Sequence, residues 1–517
     1  MMTNSKPKIL WIDDEIEMLK SQIIFLEKHY EVVTSTNATD ALELLKDEVI
    51  DLVLLDENMP GLRGLDALIE IKKVRSDVPI IMVTKSEEES IMEEAIGKNI
   101  SDYLVKPVKP SQLLSTIKKN LNKSELIKNQ TTQDYTKEFQ KLMNNINYAN
   151  SYEEWIEVYK DIVYWEMLAD QMPEGLKESL ENQKKDANIN FANFIKSHYY
   201  NWITDSESRP LMSQTILAKK LLPQLDNGKP NVLILIDNFR YDHWKAILPI
   251  ISNYFKVKEE TLFFSILPTT TQYSRNAIFS GLMPLDIKNK YPNYWFDDEE
   301  DEHKNLFEAE LLKENLRRNG IKTDFYFRKI FNNDFAKKVN SEINSIVKHN
   351  LSVIIYNFID ILSHKQTKDT TLKELASNES SYRSLTVSWF KSSPINTLFK
   401  ELADRGANVF LTTDHGSIMI QNPVKIIGYK ETSTNLRYKQ GKALTYDSRA
   451  VYEISNPKQY HLPAPHPSTR YIFATGNDFF VYQNNYNQYV NLYRNSFQHG
   501  GISLEEMIIP FISLLPK

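Results

Sequence analysis

Short apolar runs that end on carboxylates recur along this 517-residue chain. Lys8–Ile12 runs into Asp13 and Asp14, and Leu52–Asp56 stops on an aspartate. Asn231–Ile236 is followed by Asp237, and Ala407–Leu411 leads through Thr412 and Thr413 to Asp414. Runs of this length and content suit strands buried on both faces of a parallel sheet. In open α/β sheets ligands gather at the carboxyl ends of the strands. The pattern therefore predicts two α/β regions, each with a polar site at one sheet edge.

Three domains are expected, making a multidomain α/β protein. Over 1–122 five strands (Lys8–Ile12, Tyr30–Thr34, Leu52–Asp56, Pro79–Thr84, Asp102–Val105) alternate with stretches of helical period (Glu15–His29, Ala38–Asp47, Gly64–Val74, Glu88–Ile96, Lys109–Leu121). That alternation reads as a (βα)5 doubly wound domain. Over 123–210 glycine and proline are rare and aromatics recur at helical spacing, as in Trp155/Val158/Tyr159/Ile162, which reads as a helical bundle acting as a spacer. Ser151-x-x-Glu154 is a capping box at the start of its second helix. Over 211–517 the βα rhythm returns on a larger scale. The acidic run Asp297–Glu302 reads as a solvated loop.

Charge is uneven. Residues 1–120 hold 15 Lys+Arg against 22 Asp+Glu, a net −7. The whole chain is −6, so the remaining 397 residues stand at +1. That balance argues against a general nucleic-acid binder, whose footprint is a basic patch. No apolar stretch nears the ~18 residues a membrane span needs, and residues 1–9 lack the apolar segment of a signal peptide. A cytoplasmic protein without membrane insertion is expected.

Asp13, Asp14 and Asp56 fall at the ends of strands that a parallel sheet would place side by side. Three clustered carboxylates are costly unless a hard dication neutralises them, and oxygen-only ligands favour Mg²⁺. A carboxylate beside Mg²⁺ can attack phosphorus and form an aspartyl phosphate. The next two strand ends supply the Thr84 hydroxyl as a donor and the Lys106 ammonium as a counter-charge. Ile12-Asp13-Asp14, Leu55-Asp56-Glu57-Asn58-Met59-Pro60-Gly61, Val83-Thr84 and Tyr103-Leu104-Val105-Lys106-Pro107 resemble the CheY-like receiver domain of response regulators. The resemblance implies Asp56 as phosphoacceptor, with Asp13, Asp14 and the Asn58 carbonyl helping to hold Mg²⁺. It also implies Thr84 and Tyr103 as a switch pair. Lys85 departs from the small residue usual after the switch threonine, where it could contact the phosphoryl group or hinder access.

The large region carries Asp237 after its first strand, Asp360-x-x-x-His364 after Val353–Asn357, Asp414-His415-Gly416 after Ala407–Leu411, and His499-Gly500-Gly501 near the end. The chain has no cysteine, so Asp and His are the zinc ligands left to it. They sort into Asp360, His364 and His499, and Asp237, Asp414 and His415. Two ions about 4 Å apart would clamp the attacking and leaving oxygens of a phosphoryl displacement. A threonine of Thr269-Thr270-Thr271 is the candidate nucleophile, since metal binding can activate a hydroxyl.

These motifs, with Ile236-Asp237-Asn238-Phe239-Arg240-Tyr241-Asp242, Leu267-Pro268-Thr269-Thr270-Thr271 and Phe279-Ser280-Gly281-Leu282, resemble the alkaline phosphatase superfamily and, within it, the PglZ domain. Setting Pro268 on the family's P-T-x-T element implies Thr271 as nucleophile and ligand, with Thr270 as the alternative. The resemblance implies two Zn²⁺ and a phosphodiesterase acting on cyclic or linear oligonucleotides. The order of receiver, helical bundle and PglZ resembles the PorX-type response regulators. It implies a two-component system with a sensor histidine kinase partner, regulation of type IX secretion, and a dimer formed on phosphorylation. The alternative is a non-catalytic regulator whose phosphorylated form binds a transcription factor or secretion component.

Overall fold

A computed structural model describes residues 6–75, 78–85, 100–121, 123–296, 305–366, 370–428, 433 and 435–517. The helix expected over 88–96 and the acidic run 297–302 lie outside the described residues. The chain divides into two compact units, Met1–Asp134 and Tyr135–Lys517.

The first unit is built on strands β1 (Lys8–Ile12), β2 (Glu31–Ser35), β3 (Leu52–Leu55), β4 (Ile80–Thr84) and β5 (Asp102–Val105). All pair in parallel, in the order β2-β1-β3-β4-β5. Alternate residues point to opposite faces of a strand, and here each face has its own core. Leu10, Ile12, Val53, Leu55 and Met82 pack with Leu65, Leu68 and Ile71 of helix Gly64–Val74. Ile9, Trp11, Leu52, Leu54, Ile81 and Val83 pack with Leu113 and Ile117 of helix Pro110–Leu121. The first helix expected over 15–29 is split, a 3₁₀ turn Ile16–Leu19 running into helix Lys20–Glu27.

The second unit holds a six-stranded sheet: β6 (Asn231–Ile236), β7 (Phe255–Phe264), β8 (Phe325–Ile330), β9 (Leu351–Tyr356), β10 (Asn408–Thr412) and the C-terminal strand Ile508–Pro516. From β10 through β6 and β9 to β8 the pairing is parallel. The C-terminal strand inserts antiparallel between β10 and β7. Register aligns the strand ends, Leu235 with Thr412 and Ile236 with Tyr356. Asp237, Asn357 and Asp414 are therefore delivered to one edge. Helices Tyr152–Leu168 and Glu174–Thr204 share a single hydrophobic core with this sheet. Phe191 and Trp202 pack on Phe264 of β7, at ring centroid separations of 6.4 and 4.9 Å. The Ser151–Glu154 capping box forms as its spacing predicts.

Candidate functional site

In the first unit Asp13, Asp14 and Asp56 bring carboxylate oxygens within 4.8 Å of one another. Asp13 and Asp56 are buried and Asp14 is exposed. Lys106 Nζ sits between them, 2.6 Å from Asp13 Oδ2 and 2.9 Å from Asp56 Oδ1. Burial pushes the Asp56 carboxyl above its ordinary range, and Lys106 opposes that rise. The exposed Asn58 donates its backbone N–H to Asp56 Oδ2 at 2.9 Å. Thr84 closes β4 fully buried, and Tyr103 in β5 is half-buried. Lys85 does not reach the aspartates; its ammonium pairs with Glu15 at 2.5 Å. Gly64 was missed as a site residue. A Cβ there would meet the Asp56 carbonyl oxygen at 2.3 Å, so only glycine lets helix Gly64–Val74 start this close to Asp56.

In the second unit the sequence candidates converge, and their grouping differs from the one expected. Donor atoms fall into two triads, Asp237–Asp414–His415 and Asp360–His415–His499, each within 4.8 Å. His415 thus belongs to both. Its ring stacks on His499, with centroids 4.2 Å apart, because the two-residue ribbon Ile418–Met419 and Phe497–Gln498 ties the two loops together. His364 stands one turn after Asp360 in helix Phe358–Gln366, and its side chain lies outside the described residues.

Hydrogen bonds fix the tautomers of both imidazoles. His415 Nδ1 donates to the Gly416 carbonyl at 3.1 Å and His499 Nδ1 to the Thr269 carbonyl at 3.3 Å. Each ring then turns Nε2 toward the site, as metal-ligating histidines do. Burial, with the charge of His499, lowers the His415 pKa to about 4. Burial also lowers that of His499, but the Asp360 carboxylate, with the Glu506 charge and the Thr269 carbonyl, outweighs it and the net shift is upward.

The three threonines have separate tasks. Thr269 Oγ1 donates to the Gly501 carbonyl at 2.9 Å and accepts the Gly500 N–H at 3.1 Å, holding the His499 loop. Thr270, with an extended backbone, caps the π-helical turn Thr271–Arg275; its hydroxyl is buried without a hydrogen-bond partner. Thr271 Oγ1 lies 3.2 Å from His415 Nε2 and 3.4 Å from Asp237 Oδ1.

The donor set fits zinc. Tetrahedral zinc at roughly 2.0–2.2 Å from each ligand sets ligand atoms roughly 3.3–3.6 Å apart. Asp360 Oδ1 to His499 Nε2 is 3.4 Å and Asp237 Oδ1 to His415 Nε2 is 3.6 Å. Burial, with the neighbouring Asp414 charge, drives the Asp237 carboxyl well above its ordinary range, a cost that a bound cation removes. The Asp-His-Gly and His-Gly-Gly glycines are steric requirements. A Cβ on Gly416 would meet the Glu505 carbonyl at 2.0 Å and one on Gly501 the Ala474 carbonyl at 2.5 Å. Asp242 is no ligand: it forms a buried pair with Arg240 and lies 3.3 Å from Arg383.

Three family models match the chain. Residues 9–118 match the response regulator receiver domain, and 125–203 match the PorX response regulator linker domain. Residues 216–514 match the PglZ alkaline phosphatase-like domain of the BREX system. The probable transcriptional regulator ycf27 of Porphyra purpurea is 37% identical over 131 residues, 24% of this chain and 52% of that protein. This chain thus spans about half the length of that relative. Chemotaxis protein CheY of Bacillus subtilis is 34% identical over 117 residues, 22% of this chain and 98% of CheY. Among solved structures, a CheY-like receiver domain protein of Methanospirillum hungatei is 31% identical, covers 23% of this chain and 98% of its own, and has a TM-score of 0.23. The match over 216–514 takes in more than half of the sequence, and so the chain belongs to the PglZ alkaline phosphatase-like family, joined to a response-regulator receiver in the PorX-type order.

Proposed function

We propose that this chain is a response regulator phosphorylated on Asp56 with Mg²⁺, whose PglZ domain is a zinc-dependent phosphodiesterase acting on cyclic or linear oligonucleotides. Membership of an alkaline phosphatase-like family supports a hydrolase output, and the receiver implies a sensor histidine kinase as phosphodonor. The observation that carries the reading is Thr271, whose hydroxyl sits within 3.4 Å of both Asp237 Oδ1 and His415 Nε2 inside the donor cluster.

Asp360, His364 and His499 would hold one ion, and Asp237, Asp414, His415 and Thr271 the other, with His415 in reach of both. Bound zinc supplies Lewis acidity at the phosphoryl group and lowers the pKa of a neighbouring hydroxyl. Thr271 Oγ1 attacks phosphorus, and its new ester bond forms as the bond to the departing alcohol breaks. Water then hydrolyses the threonyl ester and restores the hydroxyl. His415 and Asp237 orient the hydroxyl. In the cell the product signal would serve control of type IX secretion, with phosphorylation favouring a dimer.

Thr271→Val keeps a β-branched side chain and removes the attacking oxygen. Hydrolysis of a phosphodiester should fall by several orders of magnitude, with zinc content measured by mass spectrometry largely retained. Near-normal turnover moves the role to Thr270, tested by Thr270→Val. If both variants turn over normally, the non-catalytic regulator that binds a transcription factor or secretion component is the better reading.

A further inference from the structure

Behind Asp237 lies a second charged layer that no sequence motif announces. Arg275, at the end of the π-helical turn that begins with Thr271, is buried. Its Nη1 donates to Asp237 Oδ2 at 3.1 Å and to Asn357 Oδ1 at 3.2 Å. Its Nε donates to Glu308 Oε1 at 2.8 Å and stands 3.7 Å from Asp414 Oδ2. Glu308, fully buried at the start of helix Glu308–Arg318, also pairs with Lys329 Nζ at 2.6 Å. Lys329 hydrogen-bonds the Asn305 carbonyl, and Asn305 Nδ2 donates to the Thr271 carbonyl at 3.2 Å. The layer therefore touches the nucleophile's backbone as well as its neighbouring carboxylate.

The arrangement divides the labour of Asp237. Arg275 holds Oδ2, so Oδ1 is the oxygen turned to Thr271 and His415. An uncompensated guanidinium this close would compete with a metal ion for Asp237 and Asp414. Glu308 accepts the Nε–H of Arg275 and offsets its charge, so that Arg275 can orient the carboxylate without displacing a cation. Outer partners of this kind commonly set metal affinity by 10–100-fold.

We propose that Glu308, acting through Arg275, is a positioning residue that holds Asp237 in ligand geometry and sets the zinc affinity of the Asp237–Asp414–His415 triad. The inference rests on the zinc reading above, and its test separates the two. Zinc dissociation constants are measured on the full-length apoprotein by chelator competition, alongside thermal unfolding of the metal-free chain. Wild type should take up two ions. Glu308→Gln, which keeps an acceptor and removes the charge, should weaken one of them on the order of 10–100-fold, leave the other unchanged, and unfold as apoprotein near the wild-type temperature. Glu308→Asp should recover most of the affinity, and Arg275→Lys, unable to bridge both carboxylates, should lose it. Two ions bound with wild-type affinity in Glu308→Gln overturn this inference alone. So does a Glu308→Gln apoprotein that no longer folds, since the pair is then structural cement. A wild type that takes up no zinc overturns both readings.

Discussion

Two carboxylate clusters sit at the carboxyl ends of parallel strands in this chain, and each is neutralised in its own way. In the receiver, Asp14 is exposed and one lysine, Lys106, bridges Asp13 and Asp56 from a side chain 11% exposed. In the PglZ domain, Asp237 and Asp414 are buried, and their fixed counter-charge is the guanidinium of Arg275, itself locked by Glu308. An oxygen-only cluster with one exposed carboxylate and a single lysine as counter-charge suits groups that come and go, a Mg²⁺ ion and a phosphoryl group. A cluster that adds imidazoles held by backbone carbonyls suits ions that stay. Asp13, Asp56, Asp237 and Asp414 are all buried, so the counter-charge and the added imidazoles, more than depth, separate the two clusters.

The largest expected effect tests whether the two clusters are chemically independent. With a small phosphodonor and Mg²⁺, wild type should gain one phosphoryl group by intact mass and Asp56→Ala none, while both keep the same zinc content. Light scattering on the same samples should show a dimer only for phosphorylated wild type. Labelling of Asp56→Ala would remove Asp56 as the acceptor, and a shared loss of zinc would mean that the clusters are not independent.

A smaller effect should divide along the same line. Gly416→Ala forces a Cβ against the Glu505 carbonyl, and Gly64→Ala forces one against the Asp56 carbonyl. Overpacking of this kind costs typically about 1–3 kcal/mol. Denaturant unfolding should show each loss. Gly416→Ala should impair zinc uptake and spare phosphorylation, and Gly64→Ala the reverse. Identical damage from both variants would erase the distinction.

The two sites also differ in how far the sequence revealed them. Every receiver candidate lies in a short strand or within three residues of its end, so alternation and strand-end carboxylates locate the cluster, and strand β1 and helix Gly64–Val74 lie where the periodicity predicts them. In the PglZ domain the Asp and His motifs were legible for the same reason. What was not legible depends on contacts between distant segments. Glu308 is an unremarkable acidic residue at the head of an amphipathic helix, and only the fold carries it to Arg275. His415 was assigned to one triad because nothing in Asp414-His415-Gly416 tells of the ribbon that stacks it on His499. Strands β7 and Ile508–Pro516 went unread, since β7 mixes Lys256, Lys258, Glu259 and Glu260 into a sheet edge. The helices over 152–204 read as a spacer because their apolar faces reveal burial without naming the partner, which is the large sheet.

If the reading is right, the Asp/His cluster of the PglZ domain takes two zinc ions and the receiver cluster takes none. Native mass spectrometry of the full-length chain, purified with zinc and free of added Mg²⁺, measures this directly. The account predicts two zinc ions in wild type, two in Asp56→Ala and at most one in His499→Ala. Wild type without zinc, or His499→Ala still holding two, would contradict it.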